Sequence, residues 1–182
     1  MNPEKDSVIV DACTLQNFSV VGRLDILEQH FANRAGWTEA IQREAGKLHV
    51  PPVSWLGTPL SAGDDIATLI AVDKIRRGLG ATQTDPPTLH LGEAEAIHLL
   101  ETHHPTWTFV SDDQPAVDFA LKRGLNAIDT QVVLTDCYTQ GEIGCPDAFE
   151  LLRQMAAAGR GVRVPPSHWY ICPPGERAPN LP

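Results

Sequence analysis

The sequence has no apolar run close to the roughly 18 residues that a membrane-spanning helix requires, so we expect no membrane association. Residues 1–7 are polar and acidic and do not resemble a secretory signal. Basic residues are also few, since 14 Lys and Arg stand against 23 Asp and Glu and leave a net charge of −9. A protein that holds nucleic acid through broad phosphate contacts is usually basic. The composition therefore argues against that class and permits a small acidic catalytic site.

Cysteine is scarce, and its positions form neither a Cys-x-x-Cys pair nor a disulfide framework. The four residues are Cys13, Cys137, Cys145 and Cys172. In a chain of this length we expect reduced thiols, which are typical of a cytoplasmic protein. The 182 residues favour one domain, and a chain of this size buries about 70% of its unfolded surface without needing a disulfide or a metal to fold. Hydrophobic residues at 42% and charged residues at 20% exclude wholesale disorder.

Short apolar segments alternate with segments of helical period along the chain. We predict strands over 7–10, 107–110 and 126–128, and helices over 14–31, 38–46, 64–78, 92–100, 115–123, 130–140 and 146–157. This alternation favours an α/β fold, a three-layer α/β/α sandwich with a mainly parallel sheet of four or five strands. We expect one domain over 1–164 and a proline-rich C-terminal tail over 165–182.

Acidic side chains recur where such a fold collects its functional groups. Asp11 follows the first strand, and Asp112 and Asp113 follow a later one. The carboxyl ends of parallel strands meet at the ligand-binding crevice of an open α/β sheet. Carboxylates gathered without a matching basic residue need a cation, and oxygen ligands suit Mg²⁺ or Mn²⁺. Two such ions about 3.5–4 Å apart stabilise the attacking and leaving oxygens of phosphodiester cleavage.

Each of these acids also has a structural explanation. An Asp after a strand is often a helix cap, and a Glu on a helix usually faces water. Asp11 is the exception, because it interrupts an apolar strand end and is followed by the small residues Ala12 and Cys13. Since Asp112 and Asp113 are adjacent and point in different directions, we expect at most one of them to bind a metal directly.

Four segments in this order resemble the PIN-domain family. They are 8–15 (VIVDACTL), 38–44 (TEAIQRE), 91–97 (LGEAEAI) and 109–113 (FVSDD). The third resembles the Gly-Glu-x-Glu-Ala-Ile signature of one PIN branch, and the similarity extends over residues 8–142. The resemblance implies a PIN-like sandwich fold and a metal-dependent endoribonuclease that hydrolyses RNA by two-metal-ion catalysis.

The same resemblance implies which residues form the site. The catalytic, metal-binding acids would be Asp11, Glu44, Glu93 and Asp113, holding one or two Mg²⁺ or Mn²⁺ ions. Asp112 and Glu95 would be alternates or would act through hydrogen bonds to the ligands. Cys13 departs from the family, which often has Ser or Thr at that place, and a thiol is a weaker hydrogen-bond partner.

Several partners and alternatives stay open at this point. Many PIN ribonucleases are toxins of the VapC kind, so RNA is the implied substrate, and an antitoxin protein and a homodimer are further candidate partners. A different class of function is a catalytically inactive PIN-like module that binds protein or RNA, against which the near-complete set of acids argues. A phosphatase with an aspartyl nucleophile would want Asp-x-Asp after the first strand, where this chain has 11–13 (DAC). A signalling receiver would want its acid pair near the N-terminus.

Overall fold

The computed structural model describes residues 7–172. Within them a sheet of four parallel strands runs in the order β2-β1-β3-β4. The strands are β1 (Val8–Val10), β2 (Ala35–Gly36), β3 (Thr108–Val110) and β4 (Asn126–Ile128). The predicted α/β sandwich with a mainly parallel sheet is therefore confirmed.

Eight α-helices flank the sheet among the described residues, together with two short 3₁₀ helices at Ser54–Leu56 and His168–Tyr170. They are α1 (Ala12–Val20), α2 (Leu24–His30), α3 (Glu39–Lys47), α4 (Ile66–Gly78), α5 (Leu91–Thr102), α6 (Gln114–Lys122), α7 (Thr130–Thr139) and α8 (Asp147–Ala157). Side chains cap the starts of five of these helices and supply acceptors for first-turn N–H groups. The five caps are Asp11, Thr38, Asp65, Asp113 and Asp129.

The helix predicted over 14–31 is wrong as one element, because the structure has two helices there. Gly22 separates α1 from α2 with a φ of +67°, a left-handed conformation that glycine adopts at little cost. The short strand β2 was not predicted. It is two residues long, and Gly36 is tightly packed, since a Cβ added there would lie 3.2 Å from Cδ1 of Leu60.

The two central strands lie in the middle of the hydrophobic core. Ile9 and Val10 of β1 and Phe109 and Val110 of β3 are fully buried, as is typical of parallel strands covered on both faces. Because this core holds both strand ends rigidly, the residues that follow β1 and β3 have fixed positions relative to each other.

The prediction of reduced cysteines is wrong for two of the four. Cys145 and Cys172 form a disulfide, whereas Cys13 and Cys137 are free within the described residues. The two bonded cysteines are 27 positions apart and lie on either side of α8, so the chain returns after that helix to bring them together. The buried Ile171 belongs to the same packed segment.

The predicted domain and the predicted C-terminal tail both include residues that the structure does not describe. Residues 1–6 and 173–182 lie outside the described residues, so the division into a domain over 1–164 and a tail over 165–182 stays a prediction. Among residues 7–172, none of the helices has the length and apolar character needed to cross a membrane.

Candidate metal centre

The site begins where β1 and β3 end side by side. The N–H of Asp11 donates to the carbonyl of Val110 at 2.9 Å, so the two strand ends are joined at this point. One carboxylate oxygen of Asp11 accepts from the N–H of Ala12 at 2.8 Å and caps α1. The other accepts from Oγ of Ser111 and from Sγ of Cys13, both at 2.9 Å. Asp11 is consequently fixed and almost fully buried.

Glu93 and Asp113 approach each other beside this point, and His90 joins them. One potential ligand atom from each of the three residues lies within 4.8 Å of the other two. Asp113 also caps α6, where its Oδ1 accepts from the N–H of Ala116 at 2.9 Å. Its position therefore depends on the start of a helix as well as on the end of a strand.

Glu93 carries the strongest sign of a missing partner. The residue is 8% exposed, and its Oε2 is buried with no hydrogen-bond partner among residues 7–172. A buried carboxylate oxygen without a partner is costly to the folded state. A cation held by these acids would remove that cost, so the residues present fit a divalent metal ion.

Glu44 contributes a fourth carboxylate from α3, which packs against α5. It lines a cavity of about 480 Å³ whose wall also includes His90, Glu93 and Asp113. Burial, followed by the charge of Glu93, raises the pKa of Glu44. Gly92 allows α5 to approach α3 closely, because a Cβ there would lie 3.0 Å from Cγ1 of Ile41.

The electrostatics of Asp11 link it to the same group of acids. Burial, together with the charges of Glu93 and Glu44, raises its pKa to about 7. The hydrogen bonds from Cys13 and Ser111 act in the opposite direction but do not cancel the increase. The charge of Glu93 thus acts on both Asp11 and Glu44, and the charge of Asp113 acts on Glu44. We call the four acids predicted as catalytic, Asp11, Glu44, Glu93 and Asp113, the acidic cluster.

Asp112 faces away from this acidic cluster. Its carboxylate accepts from Nδ2 of Asn17 at 2.7 Å, from the N–H of Thr130 at 3.0 Å and from Oγ1 of Thr14 at 3.3 Å. Burial raises its pKa, and the hydrogen bonds from Thr130 and Asn17 only partly offset this increase. Asp112 thereby ties α1 and α7 to the end of β3, and its oxygens already have partners.

The two remaining predicted residues act on the acidic cluster from outside it. Glu95 accepts from the backbone N–H of Ala40 at 3.2 Å and so supports the first turn of α3, the helix that carries Glu44. Burial and the neighbouring Asp11 raise the pKa of the Cys13 thiol well above its usual value. It therefore stays protonated and donates to Asp11.

Sequence reasoning missed His90. It precedes α5 directly, in the left-handed conformation with φ +54°, and its Nδ1 lies 3.5 Å from Oε1 of Glu93. The sequence feature that could have identified His90 is its position three residues before Glu93, at helical spacing. A lone histidine between a turn and a helix did not distinguish itself from a surface residue.

A second group of potential ligands lies elsewhere, at His30, Cys137 and Glu142. Nδ1 of His30 lies 2.8 Å from Oε2 of Glu142, and a hydrogen bond to Glu142 is among the contacts that raise the pKa of Cys137. These groups satisfy one another, unlike Oε2 of Glu93.

The fold and the acidic cluster together define an α/β sandwich protein with a candidate divalent-cation site at the carboxyl edge of its parallel sheet. A family model described as "PIN domain" matches residues 7–170 of the 182, and the chain belongs to this family. PIN domains are typically nucleases and generally use divalent metals. Comparisons with curated proteins and with solved structures found no match.

Proposed function

We propose that this protein is a Mg²⁺- or Mn²⁺-dependent endoribonuclease that hydrolyses RNA phosphodiester bonds. The observation that carries the proposal is the buried, unpartnered Oε2 of Glu93 within a cluster of carboxylates that lines a cavity. Membership of a family of nucleases supports hydrolysis of nucleic acid as the reaction. The choice of RNA over DNA rests on the resemblance of the sequence motifs to PIN ribonucleases.

In this proposal Asp11, Glu44, Glu93 and Asp113 hold the cation. When bound, a divalent cation offsets the charge of the phosphodiester and activates the attacking water. The buried carboxylate of Asp11 is kept in orientation by the donors Ser111 and Cys13. No side chain has to serve as the general base, so the contribution of the chain is to position charge.

Basic side chains beside the acidic cluster give the RNA backbone a place to bind. Arg43 and Lys47 line the same cavity as Glu44 and Asp113. A smaller cavity of about 190 Å³ on another side of Asp113 is lined by Arg160. Phosphate contacts from Lys and Arg supply most of the sequence-independent affinity for nucleic acid. We therefore expect the RNA strand to pass over Asp113 while these basic side chains contact its phosphates.

The biological setting extends the proposal. The sequence resemblance implies a toxin of the VapC kind, with an antitoxin or a second copy of the chain as its partner. A cytoplasmic location was expected from reduced cysteines, and the Cys145–Cys172 disulfide removes that support for it. On the surface of α4, Ile66 is 77% exposed, and Leu69 and Ile70 are more than half exposed. Exposed apolar side chains at neighbouring positions are compatible with a protein partner.

The test is cleavage of a labelled single-stranded RNA by the purified chain in the presence of Mn²⁺, Mg²⁺ or a chelator. We expect endonucleolytic fragments with either ion, none with chelator, and none from the variant Glu93→Gln. The matched control is Glu95→Gln, two residues further along the same helix, because a glutamine oxygen still accepts from Ala40. Intact RNA under every condition would contradict the proposal and would favour the inactive PIN-like binding module.

A further inference from the structure

We infer that His90 binds the cation directly, so that the site combines a nitrogen ligand with carboxylates and prefers Mn²⁺ to Mg²⁺. The inference deepens the proposed function and rests on it, because it concerns the cation that the acidic cluster would hold. It adds to that cluster a residue of a different chemical type.

The geometry places His90 among the ligand atoms. One ring nitrogen, one oxygen of Glu93 and one oxygen of Asp113 all lie within 4.8 Å of one another. The side chains of His90 and Glu93 are 22% and 11% exposed, and both line the large cavity. Three donors around one space, reached from the cavity, form the kind of partial shell that a cation completes with further carboxylates and water.

A simple ion pair between His90 and Glu93 does not account for the arrangement. Nδ1 of His90 lies 3.5 Å from Oε1 of Glu93, which is longer than a good N–H···O hydrogen bond. The other oxygen of Glu93, Oε2, has no partner within residues 7–172. The histidine thus leaves the buried carboxylate unsatisfied, and a cation between the two groups would satisfy both.

The backbone at His90 supports the same conclusion. A residue at the start of a helix usually caps it with a side-chain oxygen, but His90 makes no side-chain capping bond within the described chain. Its φ of +54° is uncommon for a residue other than glycine, and such conformations persist at sites where the surrounding structure enforces them. In this conformation the imidazole lies beside Glu93, 3.5 Å from its Oε1, and makes no bond to the helix end.

The donor set determines which cation should bind best. Mg²⁺ takes oxygen ligands almost exclusively, in strict octahedral geometry. Imidazole nitrogen is a better ligand for first-row transition ions, whose affinity for a mixed nitrogen and oxygen site rises from Mn²⁺ onward. Of the two ions expected for this nuclease, Mn²⁺ is the one that His90 favours.

The test is electron spin-echo envelope modulation of Mn²⁺ bound to the full-length protein, together with Mn²⁺ and Mg²⁺ titrations by calorimetry. We expect ¹⁴N coupling to Mn²⁺ in the wild type and its loss in His90→Gly, a variant whose glycine accepts the left-handed backbone. Mn²⁺ affinity should fall by about 10-fold or more in the variant, and Mg²⁺ affinity should change much less. His90→Asn is the second variant, because Asn also tolerates this conformation.

The matched control is His30→Gln, which removes the histidine of the second ligand group and should leave both the ¹⁴N coupling and the Mn²⁺ affinity unchanged. Coupling that persists in a folded His90→Gly protein would overturn the inference. Mn²⁺ that binds the wild type without ¹⁴N coupling would also overturn it, yet leave the proposed nuclease intact. A protein that binds neither ion would overturn both.

Discussion

Oγ of Ser111 donates a 2.9 Å hydrogen bond to Oδ2 of Asp11 and joins the residues that follow β3 and β1. The bond fixes a carboxylate that is 3% exposed beside other acids, instead of allowing it to turn toward solvent. The acidic cluster is therefore held together against its own repulsion by the packing of the two central strands. Its cost to the folded protein without metal can be measured.

The stability of the metal-free protein should depend on the titration of Asp11. Its pKa rises from the ordinary 3.8 to about 7 through burial and then the charges of Glu93 and Glu44. Between these two pH values the folded state keeps a proton that the unfolded chain has released. The free energy of unfolding should therefore fall as pH rises from about 4 to about 7, by on the order of 4 kcal/mol.

Urea unfolding with chelator at several pH values, for wild type and Asp11→Asn, isolates this effect. Asparagine also caps helices well, so the variant should keep α1 and lose only this part of the pH dependence. Above pH 7 it should be more stable than the wild type. An identical pH dependence in both proteins would contradict the environment described for Asp11.

Mn²⁺ should stabilise the wild type by binding only its folded state. At 100 times the dissociation constant the gain is about 2.7 kcal/mol, equivalent to a rise in Tm of about 5–10 °C. Glu93→Gln should abolish this rise while leaving the metal-free Tm equal or higher, because a buried charge is removed. Differential scanning calorimetry with chelator and with Mn²⁺ measures both quantities, and Glu95→Gln should respond as the wild type does. A wild-type Tm indifferent to Mn²⁺ would count against the site.

The adjacent residues Asp112 and Asp113 should respond oppositely to substitution by Asn. Asp113→Asn should lose metal binding and RNA cleavage but keep its stability, since Asn can cap α6. Asp112→Asn should cost about 1–3 kcal/mol of stability, because the amide presents a donor to groups that now donate to the carboxylate. Chemical denaturation and Mn²⁺ calorimetry of the two variants separate these outcomes. If Asp112→Asn lost metal binding and Asp113→Asn kept it, Asp112 would be the ligand instead of Asp113.

The disulfide between Cys145 and Cys172 should contribute to stability. Closing a loop of this length stabilises the folded state by about 3–4 kcal/mol in the chain-entropy model. Reduction, or the double variant Cys145→Ser and Cys172→Ser, should therefore lower the free energy of unfolding by about that amount. Thiol titration of the denatured chain should give two thiols before reduction and four after it. Four thiols before reduction, in protein purified under oxidising conditions, would show that the bond does not form.

Much of the fold was predictable because local patterns and tertiary structure agree here. The apolar segments become β1, β3 and β4, and most predicted helix ends lie within two residues of the observed ones. The pairing of β2 with β1 was not predictable, since two residues carry no periodic pattern. The meeting of Cys145 with Cys172 depends on the path of the chain after α8, which no local signal specifies.

The site was predictable only as far as parallel topology dictates it. Because β1 and β3 are parallel and end at the same edge of the sheet, Asp11 and Asp113 lie near each other whatever their side-chain conformations. The division of roles between Asp112 and Asp113 depends on how the backbone turns after β3. The approach of His90 depends on a left-handed backbone conformation, and neither feature has a pattern in the sequence.

An anomalous difference map from crystals grown with Mn²⁺ would locate the cation in the protein. We expect a peak in the cavity lined by Glu44, Glu93 and Asp113, within coordination distance of Oε2 of Glu93. No peak at that position, or a peak confined to the group of His30 and Glu142, would contradict the proposed metal site.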